Sequence, residues 1–151
     1  MQQTQPSERQ RQQGDAWSLT DGQRLVIWVL RQSGRGQSLC RHSGTIDLRG
    51  MGRELAGIAE TFGALLKRRP DTNCAAAVQL GLPGCVALTK DERRLLNVIA
   101  AAQAGDDVLV DNYLYRLALE RAARGRLAEA AMKLAACLAV HGYWLPCPLG
   151  A

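Results

Sequence analysis

Two short stretches constrain this chain more than any others: "LTDGQRLVIWVL" from Leu19 and "LTKDERRLLNVI" from Leu88. In each, a Thr is followed three residues later by Gln or Glu and then by an apolar run. Thr20 with Gln23, and Thr89 with Glu92, match a capping box. The Thr hydroxyl accepts from a backbone N–H in the first helical turn, and the Gln or Glu side chain reaches back to the Thr N–H. Each such cap contributes about 1 kcal/mol. Asp21 and Asp91 place negative charge at the positive end of each helix dipole. Arg24 and Arg93 occupy the position where a hydrophobic staple would sit, so both boxes lack one. The likeness fades beyond about a dozen residues, which favours convergence on a good helix start over a duplication.

The periodicity downstream of these starts is helical throughout. The first helix is expected over 21–33, with Leu25 to Leu30 apolar on every side, as in a central buried helix; a buried strand is the alternative reading of so short a run. A Gly/Ser-rich loop follows over 33–44. Leu55, Ile58, Ala59, Phe62, Leu65 and Leu66 then form one stripe at spacings of three and four, and Pro70 stops that helix after Lys67, Arg68 and Arg69. Residues 71–86 give no clear pattern, although 74–80 can make a short helix and "LPGC" offers a tight turn around Pro83 and Gly84. Helices are expected over 90–104, ended by Gly105, and over 108–123, capped by Asp106 or Asp107 and broken by Gly125. A last one is expected over 127–141, with an Ala-rich face and a hairpin-like approach to its predecessor. The fold class implied is all-α: a compact bundle of five or six helices with a disordered N-terminal tail.

That tail is residues 1–16. Six of its first thirteen residues are Gln, and it has too little apolar surface to offset the entropy of ordering. Residues 17–151 then form a single helical domain. The surplus charge is confined to its first half: 17–70 holds nine Lys/Arg against four Asp/Glu, whereas 71–151 holds eight of each. A basic half of this kind either meets an anionic partner or serves solubility. Aromatic residues are scarce at 5%, which disfavours a sheet. The five cysteines, Cys40, Cys74, Cys85, Cys137 and Cys147, are odd in number and widely spaced. With no secretory signal and no apolar run long enough to span a bilayer, they are expected as free thiols in a cytoplasmic protein with no membrane contact.

Few residue patterns carry chemistry. Cys137 and His141 share one helix face and Cys147 lies just beyond, with Cys40 and His42 available to complete a zinc tetrahedron, but the spacing fits no familiar zinc pattern. The competing reading makes Cys137 a small core hydrophobe. Cys40, flanked by Arg41 and His42, is the one thiol in a cationic local setting, without any surrounding nucleophile motif. "SGRGQS" lacks the phosphate-loop pattern, and Asp106, Asp107 and Asp111 suit a helix start and lack calcium-loop spacing. For nucleic acid, Arg31, Arg35, Arg41, Arg49, Arg53 and Lys67, Arg68 and Arg69 would have to converge on one face to release phosphate counterions. The loop between the first two helices is long for a helix-turn-helix.

The expectation is therefore a non-enzymatic, cofactor-free helical module that binds another protein or itself. Its surface would be an apolar patch around Trp17, Trp28 or Trp144. A nucleic-acid-binding regulator is the alternative, and a metal-binding protein or enzyme comes third.

Overall fold

The computed structural model describes residues 19–34, 51–66, 78–82, 84–117 and 121–146. These form five helices: α1 Asp21–Gly34, α2 Gly52–Leu66, α3 Lys90–Gln103, α4 Asp107–Tyr115 and α5 Arg121–Val140. No strand occurs among the described residues. The bundle is all-α, as the periodicity predicts. Helices α1, α2, α5 and α3 pack in a ring, α1 meeting α3 only lightly, and α4 lies against both α3 and α5. The centre of the bundle is thus α3 and α5, and not α1, although Leu25–Leu30 of α1 is buried apart from half-buried Trp28.

Both capping boxes form. The Thr20 Oγ1 accepts from the Gln23 N–H at 3.3 Å and the Gln23 Oε1 accepts from the Thr20 N–H at 2.9 Å. At α3, Thr89 Oγ1 accepts from the Glu92 N–H at 3.1 Å, and Glu92 Oε2 accepts from the Thr89 N–H at 3.2 Å. Gly105, at φ +73°, ends α3 with the Asp106 N–H bonded back to the Ala101 carbonyl at 3.0 Å. Asp106 at once caps α4 by accepting from the Leu109 N–H. The same left-handed stop at Gly142, φ +83°, ends α5, with Tyr143 N–H on the Leu138 carbonyl at 2.8 Å. Gln103 then holds the returning chain: its amide donates to the Tyr143 carbonyl at 2.8 Å, and its Oε1 accepts from the Leu145 N–H at 2.7 Å.

Two boundaries differ from expectation. Helix α4 stops at Tyr115 and not near 123, and α5 begins at Arg121 with Gly125 inside it. The stop has a tertiary cause: the Arg94 guanidinium of α3 donates to the Arg116 carbonyl at 3.0 Å, and Leu117 turns inward to burial. Gly125 costs about 1 kcal/mol against Ala in a helix interior. Burying Leu127, Ala131, Leu134 and Leu138 on the same helix outweighs that several times over. Of the short helix expected over 74–80, residues 78–80 are non-helical and the rest lies outside the described residues.

The second cap does more than start a helix. Glu92 is fully buried and accepts from Arg31 Nε and Nη2, each at 3.0 Å, as well as from the Thr89 and Gly81 N–H groups. Arg31 spends its other donors on the Cys85 carbonyl at 2.8 Å and the Ala87 carbonyl at 3.2 Å. One ion pair therefore joins α1 to α3 and pins both 78–82 and 84–89. Gly81 is required here: a Cβ on it would lie 2.7 Å from Arg31 Nη2 and 3.0 Å from Glu92 Oε1. Asp91 and Thr89 fasten the same strip, through the Gln79 N–H at 2.8 Å and the Gln79 carbonyl at 2.6 Å. Removing one member strands a buried charge, so Glu92→Gln should cost about 3–5 kcal/mol in urea denaturation. Arg31→Met/Glu92→Leu together should cost less than Arg31→Met and Glu92→Leu added together. A double variant as damaged as the sum of the singles would contradict this account.

Candidate functional site

Two regions bring chemically useful side chains together. The first is a cleft on the outer side of α1, of about 340 Å³, between Leu19, Arg24, Ile27, Trp28 and Gln32 on one wall and Cys85, Val86 and Leu88 on the other. Its second wall stands where it does because Arg31 holds the carbonyls of Cys85 and Ala87. The Cys85 N–H closes the tight turn onto the Leu82 carbonyl at 3.0 Å, with Gly84 at φ +80°. The lining is mostly apolar. One polar group in it is unusual: Gln32 is only 6% exposed, and its Oε1 has no hydrogen-bond partner among the described residues. A buried acceptor left bare costs about 1–3 kcal/mol.

The second region lies where the first turn of α2 meets the last turns of α5. Glu54, Cys137 and His141 each bring a donor atom there, all within 4.8 Å of one another. Cys137 is buried and His141 half-buried, while Glu54 is exposed. His141 Nδ1 lies 2.9 Å from the Cys137 carbonyl. That oxygen can only accept, so Nδ1 carries the proton and the lone pair sits on Nε2. Burial pushes the Cys137 thiol up from its ordinary 9.0 to about 11, helped by its hydrogen bond to Glu54 and then by the Glu54 charge.

The residues singled out in the sequence divide sharply. Arg31 is buried in the ion pair with Glu92 and is not available to a phosphate backbone. Arg53 is exposed on α2. Arg35, Arg41, Arg49, Lys67, Arg68 and Arg69 lie outside the described residues, as do Trp17, Cys40, His42, Cys74 and Cys147. Trp28 is half-buried and lines the cleft, whereas Trp144, after α5, is 63% exposed. Cys137 and His141 do share a face, and the structure adds Glu54. Sequence reasoning missed Glu54 because an acidic residue in a first helical turn is already explained by the dipole. It missed Gln32 because the orphaned acceptor exists only once the bundle is packed.

No known protein family, curated protein or solved structure matches the chain. No helix among the described residues is long and apolar enough to cross a membrane.

The shifted thiol makes a pH prediction. Below pH 9.0 Cys137 is protonated in both the folded and the unfolded chain and adds no pH dependence. Between 9.0 and about 11 the unfolded chain loses this proton first, so stability falls as pH rises. Two pH units correspond to about 2–3 kcal/mol. Urea melts in EDTA from pH 8 to 11 should show this extra decline in the native chain and not in Cys137→Ala. Parallel declines would show that the folded environment leaves the thiol unshifted.

Proposed function

We propose that the chain is a non-enzymatic helical module that binds a segment of another protein in the cleft beside Trp28. The observation that carries this reading is the cleft itself, a mostly apolar hollow between Ile27 and Trp28 of α1 and Val86 and Leu88. A polypeptide segment supplies what the cleft lacks, an apolar side chain to fill it. At about 340 Å³ the cleft is at the small end for a site that engulfs a whole small molecule. Apolar surface also continues past it: Val86 is 44% exposed and Leu82 more so. A small anchor pocket with an apolar surround, a Trp and an Arg resembles the core of a protein interface. Arg24, exposed on the rim, favours an acidic residue flanking the anchor. The exposed Cys85 thiol suits a reducing compartment, so the proposal places the module in the cytoplasm.

The test is a selection of random peptides displayed on phage against the immobilised chain, followed by fluorescence anisotropy on the winners. Peptides sharing an apolar anchor should emerge. Val86→Asp should weaken them about tenfold or more, and Arg24→Glu should reduce the dependence of binding on salt. Failure to enrich any peptide, or binding indifferent to Val86→Asp, would remove the cleft as the binding surface. A generic DNA duplex in the same assay addresses the basic half: tight binding that collapses with salt would put a nucleic-acid partner in place of a protein one.

A further inference from the structure

We propose that Glu54, Cys137 and His141 form a binding site for a zinc-class divalent metal ion, clamping the start of α2 to the end of α5. This site is separate from the cleft and shares no residue with it. The donor set is one carboxylate, one thiol and one imidazole. A thiolate together with an imidazole selects borderline-soft ions such as Zn²⁺ over Mg²⁺ or Ca²⁺, which take oxygen ligands. Three protein donors plus one solvent molecule is the arrangement of an open zinc site, and Glu54 is exposed, so water reaches it.

The geometry is near what coordination needs. Zinc bonds of about 2.0–2.3 Å in a tetrahedron place donors about 3.3–3.8 Å apart. The three donors already lie within 4.8 Å, so closure asks for about 1 Å of side-chain movement. Glu54 can supply most of it, being exposed on a flexible side chain. The Nδ1–H of His141 is held on the Cys137 carbonyl at 2.9 Å, which fixes the tautomer and leaves Nε2 as the nitrogen with a lone pair to give a metal. Cys137 and His141 are one helical turn apart, and Glu54 comes from a helix packed against theirs, so the site exists only in the folded bundle. On binding, the Cys137 thiol gives its proton to solvent, while a Glu54 carboxylate oxygen and His141 Nε2 bind through their lone pairs.

The experiment uses the full chain, reduced and stripped with EDTA. Zn²⁺ is titrated against a colorimetric chelator, and Co²⁺ serves as a spectroscopic substitute that reports thiolate ligation by a charge-transfer band. The expected result is one Zn²⁺ per chain, an upward shift in Tm on binding, and affinity reduced about tenfold or more in His141→Gln and in Glu54→Gln. The thiolate band should survive replacement of Cys40, Cys74, Cys85 and Cys147 by Ala and vanish on Cys137→Ala. Because Cys137 is packed in the core, the His141→Gln and Glu54→Gln variants decide the matter. Absence of Zn²⁺ binding, or affinity unchanged in both His141→Gln and Glu54→Gln, would overturn the proposal.

Discussion

The Arg31–Glu92 pair is the interaction on which most of the architecture depends. Burying two charges is expensive, and a pair of apolar side chains of similar volume often stabilises as well or better. What the pair adds is direction. Glu92 has four donors aimed at it, from α1, from the strip at 78–82 and from its own helix cap. Arg31 reaches in turn for two carbonyls of the segment leading into α3. An apolar replacement would leave these N–H and carbonyl groups to find other partners, and 78–89 would lose its register against α1. The cleft wall formed by Cys85, Val86 and Leu88 exists because Arg31 holds the backbone behind it.

The same logic explains why two half-chains of different charge form one packed body. Arg31 lies in the basic half and Glu92 in the neutral half, and the ion pair bridges them. Glu54 and the pair Cys137 and His141 are divided in the same way. Between these polar links the core is continuous: Phe62 and Leu55 of α2 are buried in one cluster with Leu134 and Leu138 of α5. Gly63 lets α2 approach closely, since a Cβ there would stand 3.0 Å from the Ser33 carbonyl of α1.

What was legible in the sequence was local. Both capping boxes, the Gly105 stop and the stripe of α2 follow from residues within one or two turns of each other, and the chain's own stereochemistry enforces them. The misread boundary at Gly125 shows the limit of this. A glycine is a weak breaker, and burial elsewhere on the helix overrules it, while the real stop at Tyr115 depends on Arg94 reaching across from α3. Glu92 shows it more sharply. Its capping role is written three residues away at Thr89, but its partnership with Arg31 spans 61 residues and leaves no local trace. Arg31 itself looked like one more surface cation in a basic segment.

The candidate sites were less legible than the fold for the same physical reason. Each is defined by what tertiary packing does to an ordinary residue. Gln32 near the end of an amphipathic helix is unremarkable until its carbonyl oxygen is enclosed. Cys137 on a Leu- and Ala-rich face reads as core, and it is core, at 1% exposure. The carboxylate beside the thiol arrives from a different helix. A metal bridging Glu54 to Cys137 and His141 would therefore act as Glu92 acts at the other polar link, with one group satisfying donors or acceptors from separate helices and fixing their register. Binding energy realised only in the packed bundle is folding energy as well. The metal-loaded chain should then hold α2 against α5 more firmly than core packing alone.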